Sequence, residues 1–257
     1  MDIIKVPTSY GGLEKTGSEK APDAILAALK GIWLSEDFKE PQFKVSEIDF
    51  CGETNIPKIH NIIFKNLKGK TGIVLGGDHS ITYSSFKAFV KDHPDAGIIS
   101  FDAHPDVYPN FDYAVLEDWL FHLVEENLVK PQNVILIGIR ASSKKEIDYL
   151  NKKKITYYTM KNIFNNLEKI SQEVIAKAKK FKSLYLTLDI DAVDPAFAPG
   201  TGYIEPGGLS SRELLFMLQQ IKNLKNLKSL DIVEINPDKD INGMTAKLGA
   251  KIVGEFL

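Results

Sequence analysis

The sequence predicts an α/β fold: a mainly parallel sheet covered by helices on both faces. Short apolar, β-prone runs alternate with longer segments of helical periodicity along the whole chain, the pattern of strands buried between helical layers. Four of the runs end in histidines or carboxylates, and ligands of open α/β sheets bind beyond the carboxyl ends of the strands. No internal repeat, low-complexity segment or linker interrupts the 257 residues, so one domain over 1–257 is expected.

Taken in order, Asp2 to Val6 reads as a strand closed by Pro7. Ser18 is expected to cap a helix opening near Pro22, with Ala24, Ile25, Ala28 and Leu29 as its apolar stripe. Lys44 to Phe50 alternates weakly, as a strand does. Ile56 to Leu67 is helical, with Ile59, Ile62, Ile63 and Leu67 on one face; His60 on it reads as an ordinary surface or edge histidine. Gly72 to Leu75 is a strand, and Ser80 is the expected N-cap of a helix through Val90. A strand from Gly97 to Phe101 follows, then a helix from Asp118 to Glu126 carrying Trp119, Phe121 and Leu123. Asn133 to Ile137 is a strand running into Gly138-Ile139-Arg140. Ser143 to Leu150 is helical, Ile155 to Tyr158 a short strand, and Asn162 to Phe181 one or two helices. Leu184 to Leu188 lies between lysine-rich sequence and a Pro- and Gly-rich stretch, which marks a buried strand rather than a helix. Ser210 or Ser211 caps a helix holding Leu214, Leu215, Leu218 and Ile221. Leu230 to Val233 is the last strand, and Thr245 to Phe256 the last helix.

Composition excludes several classes of function. Acidic and basic residues nearly balance at a net charge of −2, with no basic block or Arg-rich helix, so no nucleic-acid partner is expected. Lysines are dispersed and form a solvated face. A single cysteine, Cys51, excludes an internal disulfide and fits a reducing compartment. The start lacks the basic and apolar regions of a secretion signal, and no apolar run reaches membrane-spanning length. A cytoplasmic protein without membrane contact is the expectation.

The chemistry sits at the four strand ends. Gly72–Leu75 runs into Gly76-Gly77-Asp78-His79-Ser80, and Gly97–Phe101 into Asp102-Ala103-His104-Pro105-Asp106. Leu184–Leu188 runs into Asp189-Ile190-Asp191, and Leu230–Val233 into Glu234-Ile235-Asn236-Pro237. Asp189 and Asp191 are two apart, so strand alternation would point both to one side. Crowded carboxylates repel unless protonated or bridged by a cation. If the four strands are parallel neighbours, His79, His104, Asp102, Asp106, Asp189, Asp191 and Glu234 converge on one crevice. Mixed nitrogen and oxygen donors suit Mn²⁺, whereas oxygen alone favours Mg²⁺ or Ca²⁺ and thiolate Zn²⁺. The charge of Asp102, Asp106, Asp189 and Asp191 balances a pair of divalent ions, the arrangement that deprotonates a bridging water at neutral pH.

These motifs, GGDHS, DAHPD and TLDIDAVDPAFAPGTGYIEPGG, resemble in order and spacing those of the arginase–agmatinase (ureohydrolase) family. The resemblance extends from Gly17–Ile25 to EINPDKDINGMTAKLGA near the end. It implies a three-layer α/β/α sandwich and two Mn²⁺ ions per chain bridged by hydroxide, which attacks a guanidinium carbon to give urea and an amine. By position, His79, Asp102, Asp106 and Asp189 would hold one ion, and His104, Asp102, Asp189 and Asp191 the other. Glu234 matches the glutamate that receives the guanidinium, and a planar cation does prefer a bidentate carboxylate. Asp106 and Glu234 are the expected catalytic residues. Asp78 and Asp194 are expected beside the ligands as turn or capping residues, and a homo-oligomer, trimer or hexamer, is implied by analogy alone.

The sequence also departs from the family. A histidine usual after the second motif falls at Leu116, and no histidine is there. Glu117 is a candidate replacement for its proton work; His122 reads as an ordinary helix histidine. Loss of a general acid or base typically costs about 10²–10⁴ in rate, so slowed turnover or an altered substrate follows. Tyr108 stands where arginases usually carry an asparagine for the amino-acid end of arginine, which favours a substrate without that carboxylate, agmatine before arginine or formimidoylglutamate. Two further readings stay open: a metal-binding family member without catalysis, and a one-zinc deacetylase-like amidohydrolase, whose tandem histidine pair this chain lacks.

Overall fold

The computed structural model describes residues 1–12 and 17–257. Its strands form one all-parallel, eight-stranded sheet. The strands are β1 (Ile3–Lys5), β2 (Val45–Glu47), β3 (Ile73–Leu75), β4 (Gly97–Phe101), β5 (Val134–Ile139), β6 (Thr156–Thr159), β7 (Leu184–Asp189) and β8 (Leu227–Val233). Their spatial order is β2-β1-β3-β8-β7-β4-β5-β6, so the four strands that end in candidate site residues are indeed adjacent.

Strand alternation divides the core between two faces. Ile99 and Phe101 of β4, Ile135 and Ile137 of β5 and Leu184, Leu186 and Leu188 of β7 enter one cluster. The residues between them, Ile98, Leu136 and Tyr185, enter another. The first face is covered by α1 (Ala21–Leu29), α7 (Leu167–Ala178), α8 (Ser211–Ile221) and α9 (Met244–Phe256). The second is covered by α2 (Ile56–Leu67), α3 (Ile81–Asp92), α4 (Trp119–Glu125) and α5 (Lys144–Lys153). A short α6 (Met160–Ile163) precedes α7, so the predicted Asn162–Phe181 segment is two helices. Helices on both sides of a period-two sheet make the expected three-layer α/β/α sandwich, with the strands buried on both faces.

Several local expectations are corrected. Ser18 opens a 3₁₀ turn (Ser18–Lys20), and Lys20, not Ser18, occupies the N-cap of α1. Ser80 holds the N-cap position of α3 but has helical backbone angles and makes no side-chain cap bond; Asp78 accepts its N–H instead, at 2.9 Å. Ser210 caps α8 in a reciprocal box with Glu213. His60 is buried, not at the surface: Nε2 donates to the Ala114 carbonyl at 2.8 Å, and Nδ1 lies 2.5 Å from the Ser84 hydroxyl. Among the described residues, no helix is long and apolar enough to cross a membrane.

Candidate metal centre

Sheet register assembles the centre. Phe101, Leu188, Ile232 and Leu75 lie in one row across β4, β7, β8 and β3. The next residue on β4 is Asp102 and on β7 is Asp189, so these two carboxylates leave adjacent strands at the same level. Asp191 lies beyond the strand, in a 3₁₀ turn (Ile190–Ala192), not one alternation along it as predicted. The turn achieves the same convergence, and Asp189 Oδ1 closes it by accepting the Asp191 N–H at 2.8 Å. On β3, the glycine motif brings the chain against the Thr8 carbonyl: a Cβ on Gly77 would sit 1.7 Å from that oxygen. Only glycine permits that approach, which delivers His79 to the crevice.

His79 Nδ1 lies 3.1 Å from Asp102 Oδ2, 3.1 Å from Asp106 Oδ2 and 3.2 Å from Asp189 Oδ2. His104 Nδ1 lies 3.0 Å from Asp191 Oδ2 and 3.5 Å from Asp102 Oδ1. Two donor groups result, His79–Asp102–Asp189 and Asp102–His104–Asp191, with Asp102 common to both. All six predicted ligands are therefore together. Despite this crowding, His79 Nδ1 and Asp102 Oδ2 are buried and make no aligned hydrogen bond. Octahedral divalent ions with bonds of about 2.1 Å separate neighbouring donors by about 3.0 Å, the spacing seen here. The donor set fits a divalent cation.

Charge tells the same story. Burial opposes the charge on His79 and His104, yet the surrounding carboxylates hold both imidazoles well above their usual range. Burial, reinforced by Asp191 and Asp102, pushes Asp189 well up. Burial and the Asp102 charge raise Asp106 to about 7. Asp102 is buried too, but the two imidazoles keep it below the carboxylate range. Imidazole and carboxylate charge thus favour one another across the centre.

Other side chains fix the ligands from behind. His79 Nε2 meets Thr187 Oγ1 at 3.0 Å. Thr187 neighbours the Asp231 carboxylate, which accepts from Thr82 at 2.9 Å and Tyr185 at 2.8 Å. Trp119 Nε1 donates to Asp106 Oδ2 at 2.6 Å. Arg140 donates to the carbonyls of Asp191 and Glu205, each at 2.6 Å, and so ties the 203–208 loop to the ligand turn. None of these was singled out for the site from sequence. Their only local signal is a polar group within or beside an apolar run, as Thr187 is in Leu184–Leu188.

Of the remaining predicted residues, Glu234 is buried at the end of β8 with φ of +63°. Its Oε1 accepts the His79 N–H at 2.7 Å, while Oε2 is buried without a hydrogen bond. Burial, then the Asp78 charge, raises Glu234 to about 8. Asp78 accepts from the Gly11 N–H at 3.0 Å and, as above, from Ser80, so it fastens loops rather than joining the donor groups. Asp194 likewise accepts from the N–H groups of Ala196, Gly207 and Gly208. His104 and Asp106 border a cavity of about 310 Å³. Tyr108, Leu116, Glu117, Glu146 and Tyr203 complete its wall, so Leu116 does face the site. His122 does not line this cavity; it sits 3.6 Å from Asp118, which raises its pKa.

Comparison with known proteins agrees with this geometry. A family model described as the arginase family matches residues 1–257. The chain is 31% identical to an arginase of Staphylococcus aureus strain MRSA252 over 292 residues, covering 100% of this chain and 96% of that protein. It is 30% identical to a formimidoylglutamase of Halalkalibacterium halodurans over 272 residues, covering 99% and 85%. Among solved structures, the formimidoylglutamase of Bacillus subtilis superposes with a TM-score of 0.92 at 29% identity, covering 99% of this chain and 84% of that one.

Proposed function

The chain belongs to the arginase family, and on that premise we propose that it hydrolyses agmatine to putrescine and urea. The relatives named above bear different names, arginase and formimidoylglutamase, so membership leaves the substrate to be argued from the site. The observation that carries the reading is the pair of donor groups sharing Asp102, in which His79 Nδ1 and Asp102 Oδ2 are buried without a hydrogen bond.

In this reading His79, Asp102, Asp106 and Asp189 hold one Mn²⁺, and His104, Asp102, Asp189 and Asp191 hold a second. When bound, the ions supply Lewis acidity and a water made nucleophilic at neutral pH. The chain's own residues do the rest. Glu234 presents the buried, unbonded Oε2 as an acceptor for a guanidinium N–H. Asp106, steadied by Trp119 and bordering the cavity, holds the proton released on attack and passes it to the leaving amine. Tyr108 contacts the substrate along the cavity wall, and Asp78 and Asp194 hold the flanking loops in place. We place this single-domain enzyme in the cytoplasm as a homo-oligomer, trimer or hexamer, by family analogy.

One observation favours a second reading. Leu116 lines the cavity where the family carries a histidine, so a metal-binding member that binds guanidino compounds without turnover is the alternative. Purified protein loaded with Mn²⁺ is expected to release urea from agmatine faster than from arginine, and to leave formimidoylglutamate largely intact. Metal-independent or absent C–N hydrolysis across the panel overturns the enzyme reading. Tight agmatine binding without product selects the alternative, and faster arginine or formimidoylglutamate hydrolysis reassigns the substrate.

A further inference from the structure

A second cavity, of about 330 Å³, shares a loop with the cavity at the metal centre. Tyr108, Leu116 and Glu117 line the first; Asp112, Tyr113 and Ala114, from the same segment, line the second. The loop is closed at its neck, where the Tyr108 N–H donates to the Glu117 carbonyl at 3.2 Å. Three bonds pin its returning limb. Leu116 N–H donates to the Gly11 carbonyl at 3.1 Å, Val115 N–H to Asp118 Oδ1 at 2.7 Å, and the His60 ring to the Ala114 carbonyl at 2.8 Å. At the tip, Phe111 and Asp112 are exposed. The Asp112 carboxylate makes neither a hydrogen bond nor an ion pair among the described residues.

Charge and shape define what the second cavity accepts. Phe64 of α2, Tyr83 of α3 and Tyr113 of the loop give it aromatic surface. Lys87 and Glu126 neutralise one another at 3.0 Å, and the Tyr83 hydroxyl donates to Glu126 at 2.7 Å and accepts from Lys87 at 2.6 Å. His60 is neutral at ordinary pH, since burial lowers its pKa to about 4. Asp112 is therefore the uncompensated charge among the described lining residues. A carboxylate beside aromatic faces attracts an organic cation with an apolar body, and a cavity at the small end of the ligand-pocket range has room for a short one. We infer that this cavity takes a small alkylammonium ion, and that its occupancy holds the loop that walls the metal centre. With its charge at Asp112 and its body against Phe64 and Tyr83, such a cation joins the loop tip to α2 and α3. Neither the binding nor the loop order depends on turnover, so both stand apart from the hydrolase reading.

The probe is n-butylamine, with n-butanol as its neutral counterpart, titrated calorimetrically into the Mn²⁺-loaded protein. Wild type is expected to bind the amine and not the alcohol. Asp112→Asn should weaken amine binding about tenfold. Asn61→Trp, which sets an indole into the cavity from α2, should abolish it. Both positions are exposed and neither belongs to the donor groups, so fold and Mn²⁺ affinity should match the wild type. In parallel, butylamine should slow amide exchange over residues 109–117 by about fivefold or more in the wild type, and not in Asn61→Trp. Absence of amine binding, equal binding of the alcohol, or amine binding that either variant retains undiminished overturns the site. Amine binding that leaves exchange over 109–117 unchanged overturns its hold on the loop.

Discussion

Thr187 stands between a predicted metal ligand and the buried Asp231 carboxyl group. With His79 Nδ1 turned to the donor group, Nε2 carries the proton and donates to the Thr187 hydroxyl, which in turn meets Asp231. Such partners fix the tautomer and raise ligand basicity, and losing one typically costs about 10–100-fold in metal affinity. Thr187→Val is therefore expected to weaken Mn²⁺ binding by about that factor in a calorimetric titration, and Thr187→Ser to restore it. Equal affinity in all three proteins would leave Thr187 a packing residue. At this scale the candidate ligands were legible, because histidines and aspartates at strand ends have few other uses. The backbone at Asp106 and Glu234 was not: both are left-handed, with φ of +52° and +63°. A lone Asp or Glu in the sequence does not fix that conformation, which tertiary contacts impose at a cost of about 1–3 kcal/mol each.

At the scale of elements, His60 joins α2 to α3 through Ser84 and to the 108–118 loop through the Ala114 carbonyl. Burial lowers its pKa from 6.5 to about 4. A depressed imidazole binds fewer protons folded than unfolded, so its contribution is fully present above pH 6.5 and is lost as pH falls towards 4. The difference is on the order of 3 kcal/mol. His60→Gln should destabilise the protein to denaturant at pH 7.5, with the gap to wild type narrowing by pH 4.5; a constant gap would show that the ring does not titrate with folding. Almost every strand and helix was readable from the sequence, since periods of two and 3.6 residues report local burial. The burial of His60 was not readable, because its partners are 24 and 54 residues away. Asp191 misled for the opposite reason: a two-residue spacing reads as strand alternation, while the chain had already turned.

For the whole molecule, the central crevice concentrates negative charge in the interior of a chain whose net charge is only −2. Ions that bind the folded form alone stabilise it, by about 2.7 kcal/mol at a hundredfold excess over Kd. Chelation should accordingly lower the thermal midpoint by roughly 5–10 °C, and added Mn²⁺ should restore it in a calorimetric scan. An unchanged midpoint would mean that the donor groups hold no ion. Parallel pairing was legible from the alternation of strands and helices, and the adjacency of the four site strands was posed from sequence as a condition. The order of the remaining strands was not, because crossovers of many lengths satisfy the same pattern.

That order has a consequence for how the protein is made. β8 is the last strand along the chain, yet it lies between β3 and β7. Until Leu227–Val233 is made, the strands already synthesised fall into two groups, β2-β1-β3 and β7-β4-β5-β6, with no strand to join them. The sheet is therefore completed at its middle, and the strand that locks the halves is the one that brings Glu234 to the crevice.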